Sequence, residues 1–358
     1  MLNISYDYSQ NTVFQKQQDS KIQKILQKKR LNSNTSDNDK YQQLILQETQ
    51  SLQKSFQSNQ CQNGEQITCF LKEVVHKQLD YHTKQCYLLE NEYYFLCQIS
   101  HPHIIKLASE LKSDCKSCYF TLEKGFCDMY DRTFRQDHSN LKDYDLNEVR
   151  NCIKQIALAL HYLHTELHIS HNDIKPENII MFDKNLFKLA DFGYAKQLEK
   201  ALIYSSDLYN KWKYRCKEYM APELIQIVNN NITINSKKTL TDIFNNCYID
   251  ETKTDVFALG MSIFVMIFSV LPFKTQEGAF FEDEIFQYLD SKSSYVSFWM
   301  NFKDILNEFE KEEKARQQNY GIENLKDLLE NMLCHNPQER FNTLQIITHP
   351  WLQDTINP

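Results

Sequence analysis

The feature that most constrains the fold is an uncharged apolar segment from Val256 to Phe273. Its length is just adequate for a bilayer span. The segment nevertheless contains Gly260 and Pro272, and it directly follows the charged residue Asp255. A helix that is apolar on all sides is equally what the centre of a large globular domain requires. We therefore expect a buried core helix here and no membrane span.

Length and composition are consistent with this expectation. The chain has 358 residues, enough for a two-lobed domain or two small domains, and 42% of them are hydrophobic. The charged fraction of 24% is ordinary for a globular protein. The net charge of −7 argues against nucleic acid as a partner, because phosphate binding favours a basic face.

The cysteine pattern favours reduced thiols. The 11 cysteines are scattered, and the chain begins with no apolar signal segment, so we expect a cytoplasmic location. Cys115 and Cys118 form the one close pair. A zinc site needs a second pair at matching spacing, so a turn between two strands is favoured over a metal site.

Residues 1–40 are rich in Gln, Asn, Ser and Lys, which predicts a disordered N-terminal tail. Within this tail, residues 21–30 are basic and contain apolar residues at intervals. They could form a short helix on a partner or an anionic surface, but a solvated tail is favoured.

The next part of the chain, to about residue 123, is dominated by short apolar runs. Residues 67–71 and 118–122 are typical of strands, whereas residues 87–96 have helical periodicity. After residue 140 the pattern becomes helical, and one face of a predicted helix carries Val149, Ile153, Ile156, Ala157, Leu160 and Leu163. This order predicts two lobes with a cleft between them. The polar stretch 229–246 indicates a surface insertion.

Three motifs follow one another in the second half of the chain. Residues 171–178 read HNDIKPEN, residues 191–193 read DFG, and residues 221–223 read APE. An isolated aspartate in such a motif is more often a helix cap or turn residue, but that reading does not predict their joint order and spacing. With these motifs the chain resembles the eukaryotic protein kinase family, serine/threonine type.

The resemblance implies an α+β fold of the two-lobed protein-kinase type. A small β-rich N-lobe with one main helix is expected at about 41–123, and a larger helical C-lobe at about 124–355, so that the domain covers 41–355. ATP and Mg²⁺ are the implied cofactors, and a protein is the implied substrate. The long segment between the DFG and APE motifs resembles a platform for a protein substrate, which disfavours a small-molecule kinase.

The resemblance also implies catalytic roles. Asp173 matches the aspartate that orients the substrate hydroxyl and accepts its proton. Lys175 matches the lysine that steadies the γ-phosphate, and Asn178 and Asp191 match the two Mg²⁺ ligands. Oxygen donors suit that hard cation.

In the small lobe, Glu92 falls at the family's helix glutamate and its partner is assigned to Lys72, with Lys77 as the runner-up. Nucleotide contacts are expected in the connection between the lobes. The backbone of Glu123 and Gly125 should meet adenine, and Leu122 is the predicted gatekeeper. Asp128 is a candidate for ribose contact, although a turn residue near a helix start is an equally good interpretation.

Three other residues match structural positions of the same family. Glu223 is expected to pair with a buried arginine, assigned to Arg340. Asp255 should hold the backbone of the catalytic loop, a role compatible with a helix cap. Residues 349–351 resemble the end of the last helix.

Two departures concern the nucleotide site. The glycine-rich loop of the family should lie near residues 48–55, which contain no glycine, and this weakens a phosphate cradle. Phe70 occupies the place of the small alanine that packs on adenine, so its ring could fill the pocket. These departures favour a second hypothesis, a pseudokinase that acts as a scaffold or allosteric binding module.

Two departures concern the large lobe. Asn172 replaces the arginine that grips a phosphorylated activation loop in many relatives, so we expect activity independent of that switch. Cys216 stands where a threonine of the substrate-binding loop is usual.

Overall fold

The structure is a computed structural model that describes residues 57–62, 65–75, 79–113, 117–134, 146–198, 216–229, 249–273, 283–289, 292–316 and 321–353. All of them belong to one compact unit that begins at Gln57. The predicted tail, the glycine-free stretch, Lys77, Cys115 and most of the polar insertion lie outside the described residues.

The small lobe is built on a four-stranded antiparallel sheet. Its strands are β1 (Gln57–Gln62), β2 (Glu65–Val75), β3 (Lys112–Ser113) and β4 (Ser117–Glu123), in the order β1-β2-β4-β3. Both predicted strand runs lie inside this sheet, in β2 and β4. In the register of these two strands Phe70 faces Leu122 and Lys72 faces Phe120.

Helix α1 (Leu79–Leu96) is the helix of the small lobe and packs against β2 and β4. The second half of the helix has the predicted apolar periodicity and buries Leu89, Phe95 and Leu96 in the core. The carboxylate of Glu92 is fully buried with them. The predicted helix at residues 87–96 is therefore present and begins earlier than the apolar pattern indicated.

The large lobe is mainly helical. Its helices are α2 (Met129–Phe134), α3 (Leu146–Thr165), α4 (Pro222–Asn229), α5 (Glu251–Phe268), α6 (Glu284–Gln287), α7 (Tyr295–Met300), α8 (Lys303–Arg316), α9 (Ile322–Leu333), α10 (Thr343–Ile347) and α11 (Pro350–Gln353). The predicted apolar face of α3 is buried along its length. The predicted α+β fold of two lobes is confirmed.

Helix α5 forms the centre of the large lobe. Asp250 caps its N-terminus by accepting a hydrogen bond from the Thr252 backbone N–H, and nearly every residue from Thr254 to Phe268 is buried. The expectation of a buried core helix is confirmed. Among the described residues, no helix is long and apolar enough to cross a membrane.

Short strands hold the loops that face the cleft. Strands β5 (Cys127–Asp128), β7 (Ile179–Asp183) and β8 (Leu186–Leu189) form one small sheet. Strands β6 (Ile169–Ser170) and β9 (Lys196–Gln197) form another. The HNDIKPEN loop connects β6 to β7, and the DFG loop connects β8 to β9, so both loops emerge side by side.

Residues 349–351 occupy a different position in the last helix from the one that the sequence predicted. Residues 349–351 begin the last described helix rather than end it, because α11 starts at Pro350. Proline is favoured in the first turn of a helix, where its missing N–H has no partner to lose.

Candidate active site

Asp255 fixes the backbone of the HNDIKPEN loop. Its two carboxylate oxygens accept hydrogen bonds from the backbone N–H groups of His171 (2.8 Å) and Asn172 (2.7 Å). Asn172 has a φ of 69°, in the left-handed region that asparagine tolerates better than most residues. Burial raises the pKa of Asp255, but hydrogen bonding and charge from His164 outweigh it, so the pKa is lowered. The expected role of Asp255 is therefore present.

The loop brings Asp173, Lys175 and Asn178 together. Asp173 is 8% exposed, and its Oδ2 accepts hydrogen bonds from Lys175 Nζ and Asn178 Nδ2, both at 2.9 Å. Asn178 Nδ2 also donates to the Asp173 backbone carbonyl at 2.7 Å. Burial lowers the pKa of Lys175, but the charges of Asp173 and Asp191 together with the hydrogen bond to Asp173 outweigh it, so the pKa is raised and the lysine is cationic. Among the described residues, Oδ1 of Asp173 has no hydrogen bond of its own and remains available to a hydroxyl.

His171 supports the HNDIKPEN loop through two hydrogen bonds of its ring. Its Nε2 lies 3.1 Å from the Ala190 carbonyl, and its Nδ1 accepts the Asp173 backbone N–H at 3.3 Å. These two bonds assign a neutral ring with the proton on Nε2. Burial lowers the pKa of His171, although the carboxylates of Asp255 and Asp173 act against it.

The ammonium group of Lys72 joins three parts of the molecule. It bonds to Glu92 on α1 and lies 3.0 Å from Asp191 Oδ1 in the DFG loop. Burial lowers the pKa of Lys72, but the charges of Asp191 and Glu92 outweigh it, so the pKa is raised. Glu92 is fully buried, and burial raises its pKa to about 7 against the pull of Lys72. Burial also raises the pKa of Asp191, but Lys72 and Lys175 outweigh it and hold the pKa at about 2.

The DFG loop adopts a turn that presents Asp191 to the cleft. Asp191 has a φ of 65°, and Phe192 is fully buried with its ring 4.7 Å from that of His171. Asn91 on α1 donates from Nδ2 to the carbonyls of Gly193 (3.0 Å) and Ala195 (2.9 Å). This bridge holds the helix against the loop. Sequence reasoning missed Asn91, whose position next to Glu92 was its only signal.

The donor set fits Mg²⁺. Asn178 makes both of its side-chain hydrogen bonds through its amide nitrogen, which leaves the amide oxygen for a cation. The side chain of Asp191 is 40% exposed. No cluster of three or more His, Cys, Asp or Glu ligands occurs within the described part of the chain. A cation here would therefore be held by Asn178, Asp191 and phosphate oxygens, which is the way Mg²⁺ usually binds.

The residues predicted to contact adenine lie at the connection between the lobes, and their adenine contacts remain a prediction. Glu123 ends β4, and its Oε1 accepts hydrogen bonds from Lys188 Nζ (2.6 Å) and the Lys106 N–H (2.9 Å). Gly125 packs so closely on β7 that an added Cβ would lie 2.2 Å from Ile180 Cγ2. Asp128 caps α2, because its Oδ1 accepts the backbone N–H of residue 131 at 2.8 Å. Asp128 thus lies at a helix start, as one of the two interpretations predicted, and its ribose contact remains a prediction.

Phe70 lies on the cleft side of β2. Residues two apart on a strand share a face, and Lys72 on that face reaches Asp191. The ring of Phe70 is half-buried, packs against the core and is paired in register with Leu122. A phenyl ring therefore borders the end of the cleft where nucleotide binding is predicted.

Cys216 lies close to the catalytic loop and lines a small cavity together with Asp173. Its Sγ donates a hydrogen bond to Glu218 Oε2 at 2.8 Å. Burial raises the pKa of the Cys216 thiol, against the charge of Lys175. The thiol is therefore directed to Glu218 rather than to Asp173.

The expected pairing of Glu223 with Arg340 is also present. Nη1 and Nη2 of Arg340 each donate to the Glu223 carboxylate at 2.7 Å, and Arg340 is 2% exposed. A bidentate pair of this kind fixes the APE motif to the C-terminal part of the large lobe.

The protein kinase domain family matches residues 56–352. The chain therefore belongs to the protein kinase domain family, and the predicted resemblance is confirmed. The predicted domain boundaries at 41 and 355 remain a prediction.

The following similar curated proteins are all named as protein kinases, and most of them are named as serine/threonine-protein kinases. The SNF-related serine/threonine-protein kinase of Homo sapiens is 26% identical over 71% of this chain and 26% of its own length. Developmentally-regulated protein kinase 1 of Dictyostelium discoideum is 25% identical over 74% of this chain and 30% of its own length. Serine/threonine-protein kinase DCLK1 of Rattus norvegicus is 25% identical over 74% of this chain and 50% of its own length. The chain thus spans between about a quarter and a half of these relatives.

Proposed function

We propose that the chain is a Mg²⁺- and ATP-dependent protein serine/threonine kinase in which Asp173 is the catalytic base. The observation that carries the proposal is the double contact of Lys72 with Glu92 and Asp191. In protein kinases the lysine–glutamate pair and the DFG aspartate must both be in place for transfer. Here one ammonium group engages both.

Each residue has a defined task in this proposal. Bound Mg-ATP supplies the γ-phosphoryl group, which passes to a serine or threonine oxygen as ADP leaves. Asp173 orients that hydroxyl and accepts its proton, and Lys175 remains cationic beside the transferred group. Lys72 orients the nucleotide phosphates. Asn178 and Asp191 hold the cation.

The test is transfer of labelled phosphate from Mg-ATP to the chain itself and to a generic protein substrate. Asp173→Asn should lower transfer by about 10²- to 10⁴-fold, because the proton acceptor is lost while the shape is retained. Asp304→Asn on α8 is a matched control and should transfer at the wild-type rate. Full activity in Asp173→Asn would show that Asp173 is not the base.

Phe70 favours a second candidate, a pseudokinase binding module. Its ring borders the nucleotide end of the cleft on the same face as Lys72. This candidate predicts neither phosphate transfer nor thermal stabilisation by Mg-ATP. The kinase proposal predicts both, since a ligand that binds only the folded state raises the unfolding temperature.

A further inference from the structure

A buried carboxylate outside the cleft has no role in the reaction described above. Glu251 is the first residue of α5 and is 1% exposed. A buried charge is costly unless it is paired and hydrogen-bonded. The helix N-terminus favours a negative charge at this position. The side chains bound to Glu251 indicate what this charge does.

Glu251 contacts both strands of the β6–β9 sheet. Its Oε2 accepts a hydrogen bond from Ser170 Oγ at 3.1 Å and lies 3.9 Å from Lys196 Nζ. Ser170 and Lys196 are register partners in this sheet. Strand β6 leads into the catalytic loop, and β9 follows the DFG loop. One carboxylate therefore joins the core helix to the strands that carry both loops.

The network continues to the residue next to the catalytic aspartate. Asn172 Nδ2 donates to Ser170 Oγ at 2.7 Å, while the Asn172 backbone N–H donates to Asp255. The left-handed backbone of Asn172 is thus held through both its side chain and its main chain. Glu251 and Ser170 are therefore connected by hydrogen bonds to Asn172, the residue that precedes Asp173 in the chain.

The negative charge of Glu251 distinguishes this network from the corresponding contacts in many relatives. The family resemblance implies that many relatives have, at the position of Asn172, an arginine that contacts a phosphorylated activation loop. Here the position is a neutral amide, and the anion that faces Lys196 comes from the helix itself. A phosphate arriving at this point would meet a carboxylate instead of a guanidinium group.

We propose that Glu251 is a built-in anion that replaces the activation-segment phosphate. It holds the β6–β9 sheet and Asn172 in the arrangement that transfer requires, so it is a positioning residue. The rate measurements for this inference rest on the proposed kinase function, whereas the exchange measurement described below does not.

The rate test compares phosphatase-treated wild type with Glu251→Gln, Glu251→Asp and the control Glu308→Gln, which removes an exposed carboxylate on α8. Phosphatase should leave wild-type kcat within about twofold. Glu251→Gln should lower kcat by about tenfold or more, because small displacements of catalytic groups are costly, and leave KM for ATP within about twofold. Glu251→Asp, which retains the charge, should restore part of the loss.

Two outcomes would overturn the proposal. One is a loss of activity on phosphatase treatment of the wild type. The other is a Glu251→Gln kcat equal to that of Glu308→Gln. If Glu251→Gln does not fold, Lys196→Met removes the partner from a less buried position and should lower kcat in the same way; an unchanged kcat there also overturns the proposal.

Hydrogen exchange separates this inference from the proposed function. If wild type transfers no phosphate with or without treatment, the kinase proposal fails. Amide exchange at His171 and Asn172 then decides the inference. Exchange should be about tenfold faster in Glu251→Gln than in Glu308→Gln if the network holds the loop, because local opening becomes easier. Equal exchange would show that Glu251 does not position it.

Discussion

The two ends of the cleft are built in different ways. At the catalytic loop, Asp173, Lys175 and Asn178 form a closed set of hydrogen bonds whose distances lie between 2.7 and 2.9 Å. At the end where adenine binding is predicted, steric contacts are prominent, with the half-buried Phe70 ring and the close approach of Gly125 to β7. The side-chain hydrogen bonds of Glu123 there go to Lys188 and Lys106. The proposed transfer end is therefore organised by charge and hydrogen bonding among its own side chains, whereas bulky and closely packed groups border the predicted nucleotide end.

The largest expected effect tests the hydrogen-bonded end. Asn178→Ala removes the cation ligand and both bonds to Asp173, so we expect phosphate transfer to fall by about 100-fold or more. Initial rates over a range of Mg²⁺ concentrations measure this loss. Asn331→Ala on α9 removes comparable bonds to Asp327 far from the motif residues in sequence and should stay within about twofold of wild type. Equal rates in the two variants would contradict the assignment of Asn178.

The next prediction tests the steric end. Gly125→Ala adds a Cβ at 2.2 Å from Ile180 Cγ2, so the Ile180 side chain or the backbone at Gly125 must shift. We expect the free energy of unfolding to fall by about 1–3 kcal/mol, as measured by denaturant titration. Phe126→Ala, at an 81% exposed neighbour, should change it by less than about 0.5 kcal/mol. A Gly125→Ala protein as stable as wild type would mean that the connection between the lobes has room to spare.

A smaller effect is expected at Phe70. If its ring crowds the adenine position, Phe70→Ala should tighten the dissociation constant for Mg-ATP by about tenfold, equivalent to about 1.4 kcal/mol. Calorimetric titration measures this change. Phe341→Ala removes another half-buried ring, one that contacts His349 in the large lobe, and should leave ATP affinity unchanged. An unchanged affinity in Phe70→Ala would remove the argument from Phe70 for the pseudokinase candidate and leave only the glycine-free stretch in its favour.

The smallest effect concerns pH. Because burial lowers the pKa of His171, the unfolded chain binds a proton near pH 6.5 that the folded chain does not. Stability from this group is present above pH 6.5 and is lost as the pH falls, by at most about 1.4 kcal/mol per pH unit. Burial also lowers the pKa of His101 and His103, so the effect of His171 is the difference between wild type and His171→Gln. Parallel stability curves for the two proteins between pH 7 and pH 5 would rule it out.

Much of the fold could be predicted because it depends on local patterns. The apolar periodicity located α3, the uncharged run located α5, and the HNDIKPEN and DFG motifs located two loops whose chemistry requires fixed residue types. The start of α1 was not predicted, because residues 79–86 lack a clear apolar face. The role of residues 349–351 was misjudged, since proline can begin a helix as well as follow one.

The site was predictable only where a motif names the residue. Asn91 and Glu251 carry polar side chains of ordinary appearance, and their roles depend on partners about 100 and 80 positions away. Such contacts follow from how α1 and α5 meet the loops. Short-range sequence signals contain no information on that packing, so these residues emerged only from the structure.

The burial of the Cys216 thiol has a consequence for its reactivity. Alkylating agents and peroxides attack the thiolate, and burial keeps this group protonated at neutral pH. The Cys216 thiol is therefore poorly nucleophilic, and electrophiles should modify the exposed Cys97 before Cys216. The cysteine at the position where threonine is usual thus places a protonated, less reactive sulfur in the cavity that Asp173 also lines.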